Sequence, residues 1–315
     1  MAITRISDII EPAVFAAYVR EAIIEKSALI NSGLVTQSDK LNGLVTGGGR
    51  TINMPFWRRI DGDSEVLSDV TPLTPMGIGT AKDVAVMHLR GNAWGANELA
   101  SAIAGDSAME AIASMVAEYW VRQEQRILIS TLTGVFTSAA MVAEHVLDRS
   151  SETISAENTL DAKQLLGDAA DQLAAIVMHS KTYTKLQKQN LIEFIPNARG
   201  EIVIPTYLGY RTVTDDTVPY SGNVYSTYLL GNGVFGRGDG TPVDFTPVET
   251  DRDSLQGTDY LVNRRAFVLH PLGVRWTGAN ISGEAPSNTE LQDGANWERV
   301  YDRKHIGMIL LKHTL

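Results

Sequence analysis

The chain has 315 residues, of which 44% are hydrophobic and 20% charged, enough apolar material for one large domain or two intimate ones and too much for wholesale disorder. A formal net charge of −10 argues against tight, sequence-independent nucleic-acid binding, which needs clustered Lys and Arg to neutralise phosphates. Zero cysteines exclude disulfides, thiolate metal sites and cysteine nucleophiles; with no run of ~18 apolar residues and no signal-peptide pattern, synthesis in a reducing cytoplasm is the expectation.

In chain order, Pro12 to Lys26 carries apolar residues at near-helical spacing. A breaker-rich zone follows, with Gly33, Gly43 and Gly47 to Gly49, where an N-terminal arm is expected to leave the body. From Arg50 to Arg59, Ile52, Met54 and Phe56 alternate with Thr51, Asn53 and Pro55, the period of two that marks a strand with one apolar face. A partner strand is expected through Val84, Val86 and His88, with Ala85, Met87 and Leu89 on its other side. The stretch between them, Asp61 to Thr80, is rich in Gly, Pro and acids, and a connection of that length without structure of its own is usually functional.

Ser107 and Glu110 have the spacing of a capping box, and no Gly or Pro interrupts the residues after them until Gly134, so a helix of roughly 27 residues and about 40 Å is predicted. A second helix is expected from about Leu160 to Leu173, then a buried strand from Ala174 to Met178 and a helix capped by Ser180 running to Gln189. The remainder reads as strands at Glu201 to Pro205, Leu208 to Val213, Tyr225 to Leu230, Tyr260 to Leu269 and Ile306 to Lys312. Long helices and strands in non-alternating order indicate an α+β fold.

No motif announces catalysis. Gly231, Gly233 and Gly236 match a dinucleotide fingerprint, but Gly238, Gly240 and Pro242 forbid the helix that must start there, so a glycine-rich loop is expected and a nucleotide-binding enzyme is a remote alternative. Arg237, Gly238 and Asp239 spell an adhesion tripeptide, which a Gly-flanked turn explains. The six histidines lack metal-ligand spacing, and Asp215, Asp216, Asp251 and Asp253 read as turn chemistry before a cation site with Asp244 or Glu249. No catalytic, cofactor or metal site is therefore expected.

Several stretches together resemble the major capsid proteins of tailed bacteriophages with the HK97-like fold: Met54 to Asp63, Ser68 to Thr74, Ala93 to Ser101, Ile176 to Ser180 and Asn296 to Val300. The resemblance implies an HK97-like α+β architecture with an N-terminal arm (1–49), an extended hairpin loop (50–90), a peripheral domain with its spine helix (91–173), an axial domain (174–269) and strands that return to the peripheral domain (270–315). It implies self-assembly into pentamers and hexamers of an icosahedral shell around double-stranded DNA, with a separate scaffolding protein and a portal as further partners and only weak contact with the DNA. An encapsulin-type nanocompartment shell is the alternative within the same fold. On this reading Trp57, Arg58 and Arg59 meet acids of a neighbouring copy, and Asp61, Asp63, Glu65 and Asp69 present the opposite charge.

Overall fold

The computed structural model describes residues 30–60, 62–67, 69, 72–98, 108–196 and 202–315. The expected helix at Pro12 to Lys26, the cap Ser107 and the acid Asp61 lie outside them.

Two mixed sheets share one long helix. The first sheet holds β1 (Val35–Gln37), β2 (Thr51–Trp57), β3 (Thr80–Asn97), β11 (Phe235–Gly240), β12 (Val248–Asp253) and β13 (Thr258–Pro271), in the order β1-β11-β13-β3-β2 with β12 pairing β13. The second holds β4 (Val146–Thr153), β5 (Leu173–Met178), β6 (Ile192–Pro196), β7 (Ile202–Tyr207), β8 (Tyr210–Thr214), β9 (Tyr220–Ser221), β10 (Val224–Gly231) and β16 (Met308–Thr314), in the order β4-β16-β10-β5-β8-β7-β6 with β9 on β10. A small ribbon pairs β14 (Val274–Trp276) with β15 (Trp297–Arg299). The helices are α1 (Asp39–Thr46), α2 (Ala108–Val135), α3 (Ala139–His145), α4 (Ala156–Gln164), α5 (Ser180–Lys188) and α6 (Asn288–Gln292).

Helix α2 is the strut that the sequence predicts, 28 residues long. Its C-terminal half inserts Ile127, Leu128, Leu132 and Val135 into the main core, where Val177, Tyr228 and Leu230 of the second sheet meet Phe235, Phe267 and Leu269 of the first. Its N-terminal half buries Met109, Val116 and Trp120 against Ala96, Val248 and Leu261. The second sheet is covered on both faces. Along β5, Ala175 and Val177 face α2, while Ile176 and Met178 face a second core with Ala162 and Leu166, so the run is apolar throughout rather than alternating.

Several expectations are corrected. The helix placed at Leu160 to Leu173 starts earlier, at Ala156, because the Ser155 hydroxyl accepts the Asn158 N–H at 3.2 Å. It stops at Gln164, and after Gly167 at φ +60° the chain runs as a 3₁₀ turn to Gln172. The helix after β5 is capped by His179, whose Nδ1 accepts the Lys181 N–H at 3.1 Å, and not by Ser180, which is already inside it. Leu208, expected to open a strand, forms a turn with Gly209 at φ +51° and +83°. The stretch expected as the arm keeps that assignment, and its residues 34–46 lie against the body: Leu34, Val35, Leu41 and Val45 are buried and β1 pairs in parallel with β11.

Candidate assembly surface

β2 and β3 pair antiparallel from Thr51 opposite Val86 to Trp57 opposite Thr80. The pairing ends there, and the described residues between Trp57 and Thr80 have neither strand nor helix. β3 does not stop with β2: its second half, Met87 to Asn97, pairs with β13, so the hairpin continues directly from a strand of the first sheet.

The root is held by buried polar chemistry. Asp83 Oδ1 lies 3.0 Å from His270 Nε2, and its Oδ2 accepts the Gly273 N–H at 3.0 Å. Phe56 meets Tyr301 edge to face with centroids 4.7 Å apart, and burial together with the nearby Asp83 charge raises the Tyr301 hydroxyl pKa. Arg50 at the start of β2 pairs with Glu284.

Of the residues singled out from sequence, Trp57, Arg58 and Arg59 come together. With Phe56, Arg299, Tyr301, Asp302 and His305 they line an open groove of about 510 Å³ at the loop end of the paired strands. Trp57 is 67% exposed there. The Asp302 carboxyl is held below its usual range, first by the Lys304 N–H and also by Arg59. Asp63, Glu65 and Asp69 lie beyond the groove in the loop, where Glu65 Oε2 accepts the Thr74 N–H at 3.0 Å.

Sequence reasoning missed the apolar side of this loop. Ile60, Val66, Leu67, Leu73, Met76 and Ile78 are all large and exposed, Val66 at 93%. Clustered exposed apolar side chains mark an interaction surface, whereas scattered ones mark nothing. The signal was present in the apolar residues set among Gly, Pro and acids without any helix or strand period. Arg299, Tyr301 and His305 were also missed, since only folding brings them beside β2.

The glycine-rich loop expected at Gly231 to Gly240 is a correction: Phe235–Gly240 is strand β11, between β1 and β13. Its glycines are there because α1 lies flat on it, and a Cβ at Gly238 would fall 2.7 Å from Leu41 Cβ. No helix starts at these glycines, so the dinucleotide geometry is missing. The Arg237-Gly238-Asp239 tripeptide is not on a turn. Arg237 is 3% exposed and donates to Glu124 of α2 at 3.1 Å, and the same carboxylate receives Arg265 at 2.5 Å.

The paired acids serve turns. Asp215 Oδ1 accepts the Thr217 N–H at 2.8 Å, and Asp253 Oδ1 accepts the Leu255 N–H at 3.0 Å. Among the described residues no three His, Asp or Glu side chains gather as a cation site. His145 and His313 are used by backbone carbonyls, of Met308 at 2.8 Å and Thr314 at 2.9 Å.

Solved structures with the same fold are phage-type capsids. The capsid of Ralstonia phage GP4 superposes with a TM-score of 0.62 at 9% identity, covering 89% of this chain and 87% of that one. The cyanophage Pam1 capsid does so with a TM-score of 0.58 at 11% identity, covering 92% and 93%. The fold is therefore the HK97-like capsid fold, α+β as expected. A curated relative, the major capsid protein of Bacillus phage SPP1, is 43% identical over all of this chain and 99% of its own. The Gp13-like model, described as major capsid protein 13-like, matches residues 93–307. The chain belongs to this family of tailed-phage major capsid proteins, and its role is to form the capsid shell.

Proposed function

We propose that this chain closes into pentamers and hexamers of an icosahedral shell around double-stranded DNA, assembled in the bacterial cytoplasm with a separate scaffolding protein and a portal. The observation that carries the self-association is the row of exposed apolar side chains from Ile60 to Ile78, which no described part of the same chain covers. Stable interfaces between permanent partners bury more than about 2,000 Å², and an outlying loop laid over a neighbour is an efficient way to reach that area. Trp57, Arg58 and Arg59 face acids of a second copy, with Asp61, Asp63, Glu65 and Asp69 offering the opposite charge. The net charge of −10 keeps contact with the packaged DNA weak.

The five stretches read from sequence are proposed as the functional layout: arm, hairpin, peripheral, axial and return segments. The first sheet with α2 carries the peripheral part, and the second sheet the axial part. Strands β11 to β13 cross from the axial stretch into the first sheet, and β16 crosses from the return stretch into the second. The chain acts structurally and catalyses nothing.

Expression with its assembly partners, followed by electron microscopy of the particles, tests this. Val66→Ser with Leu67→Ser and Leu73→Ser should give a folded chain that forms few particles, and Asp63→Lys with Glu65→Lys and Asp69→Lys should do the same. Full particle yield from both sets would show that this loop is not an interface.

A further inference from the structure

A second surface feature stands at the far end of the same sheet. β12 and β13 join through a tight turn, in which Asp253 Oδ1 accepts the N–H groups of Leu255 at 3.0 Å and Gln256 at 3.3 Å, and Gly257 sits at φ +59°. This puts Leu255 at the apex, 97% exposed. The charge around it is acidic. Glu98, Asp251, Asp253 and Asp259 surround one cation, Arg252, which is engaged by Glu98 and, at 3.2 Å, by Asp259. Asp251 and Asp253 make no ion pair among the described residues. The result is an acidic knob with an apolar tip.

The groove at the loop end of the hairpin strands is its complement. Trp57, Phe56 and Tyr301 give apolar walls, and of the cations there Arg299 is engaged by Glu144 and Arg59 acts on Asp302, which leaves Arg58. Arg58 pairs with no acid among the described residues. A groove of about 510 Å³ falls in the range of pockets that hold a small ligand, room for one apolar side chain with flanking carboxylates.

The two features cannot meet within one molecule. Thr80, at one end of β3, pairs with Trp57 beside the groove, and Asn97, at the other end, pairs with Thr258 beside the knob. The 18 residues of β3 separate them by about 55 Å at ~3.3 Å per residue. We propose that the Asp251–Gln256 turn of one copy docks into the Trp57–Tyr301 groove of a second copy, with Leu255 on the aromatic walls and Asp251 and Asp253 toward Arg58 and Arg59. A contact between two different patches is head to tail, and it closes into a ring when the rotation it imposes returns on itself. The inference rests on the shell-forming reading and names a contact that would help to build it.

The absence of native cysteines makes a direct test possible. The full chain carrying Leu255→Cys and Trp57→Cys is expressed with its assembly partners, and the particles are oxidised and run under denaturing, non-reducing conditions. A ladder of covalent multimers is expected from the double variant, and heterodimers alone from mixed single variants. Particles that form and give no ladder would overturn the proposal while leaving the shell reading intact, whereas an unsubstituted chain that never forms particles would overturn the shell reading itself. Charge exchange decides the case if the cysteine variant does not assemble. Asp251→Lys or Arg58→Glu alone should lower particle yield by about tenfold or more, as loss of a close charge pair does, and the two together should restore it. Equal yields from all three would sink the proposal. So would full yield with loss of nuclease-protected DNA in Arg58→Glu alone, which would assign the groove to phosphate.

Discussion

Gly134 shows how one missing side chain can set a contact. It lies inside α2 where α6 and the following turn press closest, and a Cβ there would fall 1.9 Å from the Leu291 carbonyl oxygen and 2.6 Å from Trp297 Nε1. Gly134→Ala should therefore destabilise the unassembled chain by about 1–3 kcal/mol, the usual cost of overpacking, despite the better helix propensity of Ala. At Gly43, in α1, nothing lies within 4 Å of the place a Cβ would take, so Gly43→Ala should stabilise by about 0.5–1 kcal/mol. Urea unfolding of the two variants checks the pair, and equal effects would mean that propensity rather than contact governs both.

His88 is the residue whose titration bears on stability. Burial first, and then the neighbouring Arg90 charge, push its pKa from 6.5 down to about 3, so the imidazole stays neutral in the folded chain. The unfolded chain takes up the proton near 6.5, so the folded state loses stability as pH falls from 6.5 toward 3 and gains nothing above that window. His88→Leu keeps an apolar side chain against Phe267 and removes the titration. The unfolding midpoint should then depend less steeply on pH between 6.5 and 3 than in the parent, and an unchanged slope would assign the loss to carboxylates instead.

At the scale of elements, β3 joins two jobs. Its first half pairs with β2 to make the hairpin and its second half with β13 to anchor it, so the loop beyond Trp57 can be changed without disturbing either register. Replacing residues 60–78 by a short Gly-Ser turn should leave the unassembled chain cooperatively folded, with a Tm within a few degrees of the parent, and should abolish particles. A chain that no longer folds would show that the loop supports its own body.

The elements also show where the sequence was legible. Helix α2 and strands β2, β3, β5, β10 and β13 follow from apolar period and breakers, because a long uninterrupted pattern leaves one conformation that buries it. The α4 boundary was misplaced because the apolar run from Leu160 continues through Gly167 into a 3₁₀ turn, and hydrophobic spacing does not register a change of helix type. The glycines of β11 read as a loop because the local signal for a flexible segment is the same as that for a strand that another backbone approaches closely.

For the whole molecule, the consequence is an incomplete surface on a complete core. Residues 58–79 lack strand and helix where described, and expose apolar side chains, while the body behind them is closed by four buried clusters. Trypsin should therefore cut the free chain first at Arg58 or Arg59, and assembled particles should resist at the same concentration. Early cutting elsewhere, or equal cutting in particles, would argue against burial of this region by neighbours.

The sequence by itself determined the class of protein, the strut, the hairpin strands and the lack of a catalytic motif, since each of these is written in local pattern or in stretches shared with a family. Only the tertiary structure decided that Arg237 is locked to Glu124 instead of displayed, that Trp57 and Tyr301 share a groove, and that Leu255 stands uncovered. Those facts depend on which distant segments come to lie side by side, and a linear pattern records what a residue is without recording what will face it.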